Sequence, residues 1–109
     1  VNVDLAETKS GVTPNDLKRL AETIWPLPNL RLRGLMSIPD PVSEGDLKRS
    51  HQTLRSLFEE LKQAHPAPEI FDTLSMGMTN DLELAVTEGS TMVRIGTALF
   101  GARPPKDSL

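Results

Sequence analysis

The stretch Asp72–Gly101, DTLSMGMTNDLELAVTEGSTMVRIGTALFG, decides how the chain is read. Apolar residues fill Ile70–Leu74 and Met92–Ile95, and turn residues follow each run, the pattern of strands buried on both faces. Between them Thr79 is placed to cap a helix whose first turn carries Asn80 and Asp81, and Glu88-Gly89 offers a glycine to close it. Two parallel strands joined by a helix bring both strand ends to one rim. Gly77, Met78 and Thr79 fall on that rim after the first strand, Gly96 and Thr97 after the second. Small residues let backbone N–H groups approach a ligand, hydroxyls add donors, and a helix N-terminus adds a positive dipole end. Together they favour an anion, a phosphate above all.

Outward from that stretch the same alternation repeats. Val1–Leu5 reads as a strand and Ala6–Gly11 as a polar loop. Thr13-Pro14-Asn15-Asp16 starts a helix to about Ile24, with Leu17, Leu20, Ala21 and Ile24 on one face. Trp25-Pro26-Leu27-Pro28 stops it. Leu30–Ile38 reads as the second strand, with Pro39-Asp40-Pro41 as a rigid loop after it. Ser43 with Asp46 resembles a capping box and opens a helix to about Ala64, striped by Leu47, His51, Leu54, Leu57/Phe58 and Leu61. Ala102–Leu109 reads as a polar tail. The order β-α-β-α-β-α-β predicts an α/β class of fold with a parallel sheet, either a small open sheet or half of a (β/α)8 barrel. The barrel is favoured because barrel phosphate sites arise from the loops after the last two strands.

Composition narrows the function. The 109 residues suit one modest domain. A net charge of −3 without a Lys/Arg cluster argues against nucleic acid. No cysteine is present for a disulfide or thiolate metal site. No apolar run approaches a membrane span and no signal segment opens the chain, so a cytoplasmic protein without membrane partners is expected. His51 and His65 lack metal-ligand partners at useful spacing, and Glu59-Glu60 and Asp81/Glu83 read as solvated helix faces rather than an acid/base pair.

At LSMGMTNDLELAVTEGSTMVRIGTALFGAR, Leu74–Arg103, the chain closely resembles the pyridoxal-phosphate homeostasis protein family, single-domain proteins with the barrel fold of the alanine racemase N-terminal domain. VNVDLAETKSG at Val1–Gly11 and LRLRGLMSIP at Leu30–Pro39 fit strands and loops of that family's second half. The resemblance implies that residues 1–109 are the carboxy-terminal half of such a barrel, downstream of the lysine that forms the family's Schiff base. It implies a non-catalytic carrier of pyridoxal 5′-phosphate, whose cradle would also accept a bare phosphate or sulfate. Arg94 matches the arginine facing the pyridine nitrogen; a guanidinium cannot accept a proton, so that nitrogen stays unprotonated and the ring a weak electron sink. Gly96 and Thr97 match phosphate contacts, as does Thr79, where the family more often has serine. Gly77 and Met78 would contribute loop backbone.

Each residue also has a plainer reading. Met36 is expected near the cofactor ring, a core methionine being the alternative, and Ser75 either points inward to the cofactor or is a satisfied core hydroxyl. Lys9 shares the rim in Lys9-Ser10-Gly11, but a loop lysine is ordinarily solvated. The alternative function is an enzyme fragment, an amino-acid racemase of the same fold or a phosphosugar barrel enzyme; the absence of any tyrosine weighs against the racemase. An isolated half barrel has two open edges, which predicts self-association.

Overall fold

The computed structural model describes residues 1–7, 9–40 and 43–102. The expected tail past Ala102 and the Pro41 end of the proline loop fall outside them.

Helix α1, Pro14–Ile24, has proline in its first turn as the sequence predicts. Its Leu17 and Ala21 are buried, whereas Leu20 is largely exposed. Helix α2, Glu44–Ala64, begins at Ser43, whose hydroxyl accepts the Asp46 N–H at 3.1 Å. The Asp46 side chain does not complete a reciprocal box: its carboxylate accepts the Ser43 hydroxyl instead, at 2.8 Å. That bond, reinforced by Arg49, holds the Asp46 carboxyl below its ordinary value.

Between α1 and α2 lies β1, Gly34–Met36, and after α2 comes β2, Thr73–Ser75, paired to it in parallel with Leu35 opposite Leu74. Gly34 is required there, because a Cβ would lie 1.5 Å from the Thr73 carbonyl oxygen. At the entry to both strands Arg33 grips Asp72 at 2.8 and 3.0 Å, holding that exposed carboxyl below its ordinary value. Helix α2 connects β1 to β2 and packs against β1, and its stripe of His51, Leu54, Phe58 and Leu61 is buried. Leu54, Phe71, Leu74 and Met76 are completely buried, and Phe58 stacks on Phe71 with centroids 4.9 Å apart. Burial of each such side chain contributes about 1.5–3 kcal/mol.

The two outer strands expected from the sequence are reduced. Val1–Leu5 forms no strand: the Val1 nitrogen donates to Met36 O at 2.7 Å, but the Asn2 amide then folds back onto Ala6, accepting its N–H and donating to its carbonyl. That local closure competes with a sheet ladder and carries Leu5 to φ 54°. At Met92–Ile95 the fourth strand shrinks to a parallel bridge between Met92 and Ser75. Its backbone still runs beside β2, with Met76 N–H donating to Met92 O and Arg94 N–H to Gly77 O. The run is not buried on both faces, since Met92 and Ile95 are exposed at 53% and 38%.

The helix after β2 also starts differently. Thr79–Asp81 is a 3₁₀ turn leading into α3, Leu82–Thr87. Thr79 is not its cap, because its hydroxyl is turned away to accept the Ala98 N–H at 3.2 Å. The cap interaction comes from Asp81, whose Oδ1 accepts the Met78 N–H at 2.8 Å. Gly89 closes α3 at φ +103°, as expected. Gly96-Thr97, read as loop, opens one helical turn, α4, Thr97–Phe100.

Candidate functional site

The β1 and β2 ends and the loops after them enclose a cleft of about 830 Å³. Gly77, Met78, Thr79, Arg94, Gly96 and Thr97 all line it. Six of the eight residues singled out from the sequence are therefore brought together. Ser75 is buried within β2 and does not line the cleft. Met36, half exposed on β1, faces an adjoining depression that shares Lys9 and Ile38 with it.

The loop conformation has an identifiable cause. Gly77 adopts φ +102° against α3, where a Cβ would lie 2.5 Å from the Ala85 Cβ. Only glycine permits that approach. The chain then turns through Met78, whose N–H is committed to Asp81, so Met78 offers no backbone donor to a ligand, contrary to expectation. Thr79, Gly96 and Thr97 differ: their backbone N–H groups donate to no other described group. The Thr79–Ala98 hydrogen bond fastens one donor loop to the other.

Arg94 closes the cleft from the side. Its Nη2 donates to Ser37 O at 2.8 Å, which fixes the guanidinium on the β1 end. Its Nε is buried without a partner among the described residues, as is the Ser37 hydroxyl oxygen. Lys9 reaches the same rim, but its ammonium is held by Ile38 O and by Asp40 at 3.1 Å. Ile38, Leu47 and Phe100 supply apolar wall. The result is a cation and a set of unspent N–H donors at one end of a partly apolar cleft, which suits an anionic group carried on a flat hydrophobic body.

The histidines were only partly legible. His65 is a core group, its Nδ1 accepting the Ala67 N–H and its Nε2 3.1 Å from Leu32 O. His51 is completely buried and pairs through Nε2 with Asp81 Oδ2 at 2.8 Å. Asp81 is thus not a solvated helix-face residue. The signal available was His51 at a buried position of the α2 stripe, where an imidazole requires a partner. Among the described residues, no three His, Cys, Asp or Glu side chains group to hold a metal ion, and no helix is long and apolar enough to cross a membrane.

Residues 1–104 match the alanine racemase, N-terminal domain family. The chain belongs to that family. The pyridoxal phosphate homeostasis protein of Pasteurella multocida is 52% identical over 104 residues, which are 94% of this chain and 44% of that protein. A crystal structure of an unknown protein from Bifidobacterium adolescentis superposes with a TM-score of 0.80 at 42% identity, over 88% of this chain and 39% of that one. PipY of Synechococcus elongatus with pyridoxal phosphate bound superposes with a TM-score of 0.77 at 35% identity, over 93% and 47%. The resemblance to pyridoxal phosphate homeostasis proteins stands, and the family and its neighbours support an α/β barrel-type fold. The chain spans less than half the length of each of these relatives.

Proposed function

We propose that this chain is the second half of a (β/α)8 barrel and binds pyridoxal 5′-phosphate without catalysing a reaction on it, as a module of cofactor homeostasis. The observation that carries this reading is the convergence of Thr79, Gly96 and Thr97 donors with the Arg94 guanidinium on one cleft. The backbone N–H groups of Gly96 and Thr97 and the two threonine hydroxyls would hold the phosphate. Arg94 would stand toward the pyridine nitrogen, its guanidinium, fixed by Ser37 O, carrying N–H donors and no acceptor. When bound, the cofactor supplies a carbonyl and a ring that withdraws electrons. A permanently protonated neighbour at the ring nitrogen leaves that withdrawal weak, which favours holding over carbanion chemistry. A phosphate or sulfate ion alone would occupy the same donors with less affinity, lacking the apolar wall. PipY with pyridoxal phosphate bound supports the choice of ligand.

The open sheet bears on assembly. Met36, Ile38 and Met92 are each more than two-fifths exposed, and Phe100 is 82% exposed. The radius of gyration, 15.4 Å, exceeds the about 13 Å of a compact chain of this length. We propose that these edges associate with a second copy.

Calorimetric titration with pyridoxal 5′-phosphate, against pyridoxal as the phosphate-free control, tests the binding reading. Binding of the phosphate form alone, weakened by Thr97→Ala and by Arg94→Ala, is expected. Equal binding of both forms, or none by a folded sample, would overturn it.

A further inference from the structure

The cleft contains a charge that works against its ligand. Asp81 lines it beside the donors, and its carboxylate is only 11% exposed. A bare carboxylate there would repel a phosphate across a medium less polar than water. Both of its oxygens are, however, already engaged. Oδ1 accepts the Met78 N–H at 2.8 Å, and Oδ2 lies 2.8 Å from His51 Nε2. Since a carboxylate only accepts, Nε2 is the donor, and the ring's other nitrogen, Nδ1, is buried without a partner among the described residues. The ring hydrogen shared with the carboxylate is therefore the one on Nε2.

We infer that His51 is a positioning residue for anion binding, acting through Asp81 to clasp the Gly77–Thr79 loop and to mask the carboxylate that faces the ligand. The connection runs from α2 through the imidazole and the carboxylate to the Met78 N–H. Met78 is turned back toward Asp81, and Thr79, which lines the cleft, keeps a backbone N–H that donates to no other described group while its hydroxyl accepts the Ala98 N–H. His51 touches no ligand. It is completely buried on the α2 stripe among apolar residues, where an imidazole requires a polar partner. This role rests on the proposed anion-binding reading.

The clasp is tested by titrating the full chain and its variants with pyridoxine 5′-phosphate, which lacks the aldehyde and cannot react with lysines. His51→Phe keeps the bulk and removes the donor; its affinity should fall by about tenfold, as loss of a hydrogen bond to a charged group implies. His51→Gln, which places an N–H near the Nε2 position, should stay within about threefold of wild type. The deciding variant adds Asp81→Asn to His51→Phe. Asparagine keeps an oxygen for the Met78 N–H and removes the charge, so affinity should recover by at least about threefold over His51→Phe alone. A merely structural His51 would let Asp81→Asn raise affinity by the same factor in wild type and in His51→Phe, whereas the clasp predicts the larger gain in His51→Phe. Hydrogen exchange of the Met78 amide supplies a reading without ligand: protection in wild type and His51→Gln, and its loss in Asp81→Ala, even if His51→Phe fails to fold. Absence of binding by wild type would overturn the anion reading itself. Wild-type binding with His51→Phe equal to it, or a gain from Asp81→Asn no larger in His51→Phe than in wild type, would overturn the clasp alone, as would an unprotected Met78 amide in wild type.

Discussion

Replacing Gly77 by alanine tests whether the Gly77–Thr79 loop is shaped by backbone necessity. At φ +102° the residue lies in a region that side chains rarely enter, and holding a non-glycine residue in such a region costs about 1–3 kcal/mol. The added methyl would also stand 2.5 Å from the Ala85 Cβ, a contact no rotamer change can relieve, since both atoms are fixed by backbone. Ala85 is completely buried on α3, so either the helix or the loop must move, at a further cost of about 1–3 kcal/mol. The sum, about 2–6 kcal/mol, is a large part of the about 5–15 kcal/mol that typically stabilises a domain. Urea unfolding at one fixed protein concentration, followed by circular dichroism, would read it as a lower midpoint with an unchanged slope. Gly96→Ala is the internal control: φ is −117° and nothing lies within 4 Å of the new Cβ, so stability should stay within about 0.5 kcal/mol of wild type. If Gly77→Ala were as stable as Gly96→Ala, the account of the loop would be refuted.

Acid titration of stability should separate wild type from Asp46→Asn. The Ser43 hydroxyl, then Arg49, hold the folded-state carboxyl below its ordinary 3.8, so its stabilisation is present above that value and is lost as pH falls through the lowered one. The gap between the two proteins should therefore be open at neutral pH and close in strong acid; a gap that widened on acidification would contradict the pairing. Sedimentation over a range of concentrations should show self-association, reduced by Met92→Lys, which places a charge on the exposed edge. A monodisperse monomer at high concentration would contradict the open-edge reading.

The elements most legible in the sequence were those whose signals are local. Pro14 and Ser43 mark helix starts, and the α2 stripe from His51 to Leu61 is buried as its period requires. The rim was legible as well, because small and hydroxylated residues after two apolar runs imply loops rich in free donors. What escaped depended on competition between distant or alternative partners. Asn2 could have continued a strand but closes on Ala6 instead. Thr79 is well suited to capping its own helix, yet its hydroxyl serves Ala98, nineteen residues away. Asp81 looks solvated in sequence because nothing local reveals that His51, on another helix, lies against it. The exposure of Met92 and Ile95 was hidden for a related reason: an apolar run shows what favours burial, not whether a neighbouring element is present to bury it.

The central claim, that an anion-bearing ring occupies this one cleft, is tested most directly by following backbone amide resonances of the folded chain during titration with pyridoxine 5′-phosphate. Saturable shifts concentrated at Thr79, Gly96 and Thr97 and at the Arg94 side chain are expected, with pyridoxine itself producing little change there. Shifts scattered over surface lysines, or confined to another face with those residues unmoved, would contradict it.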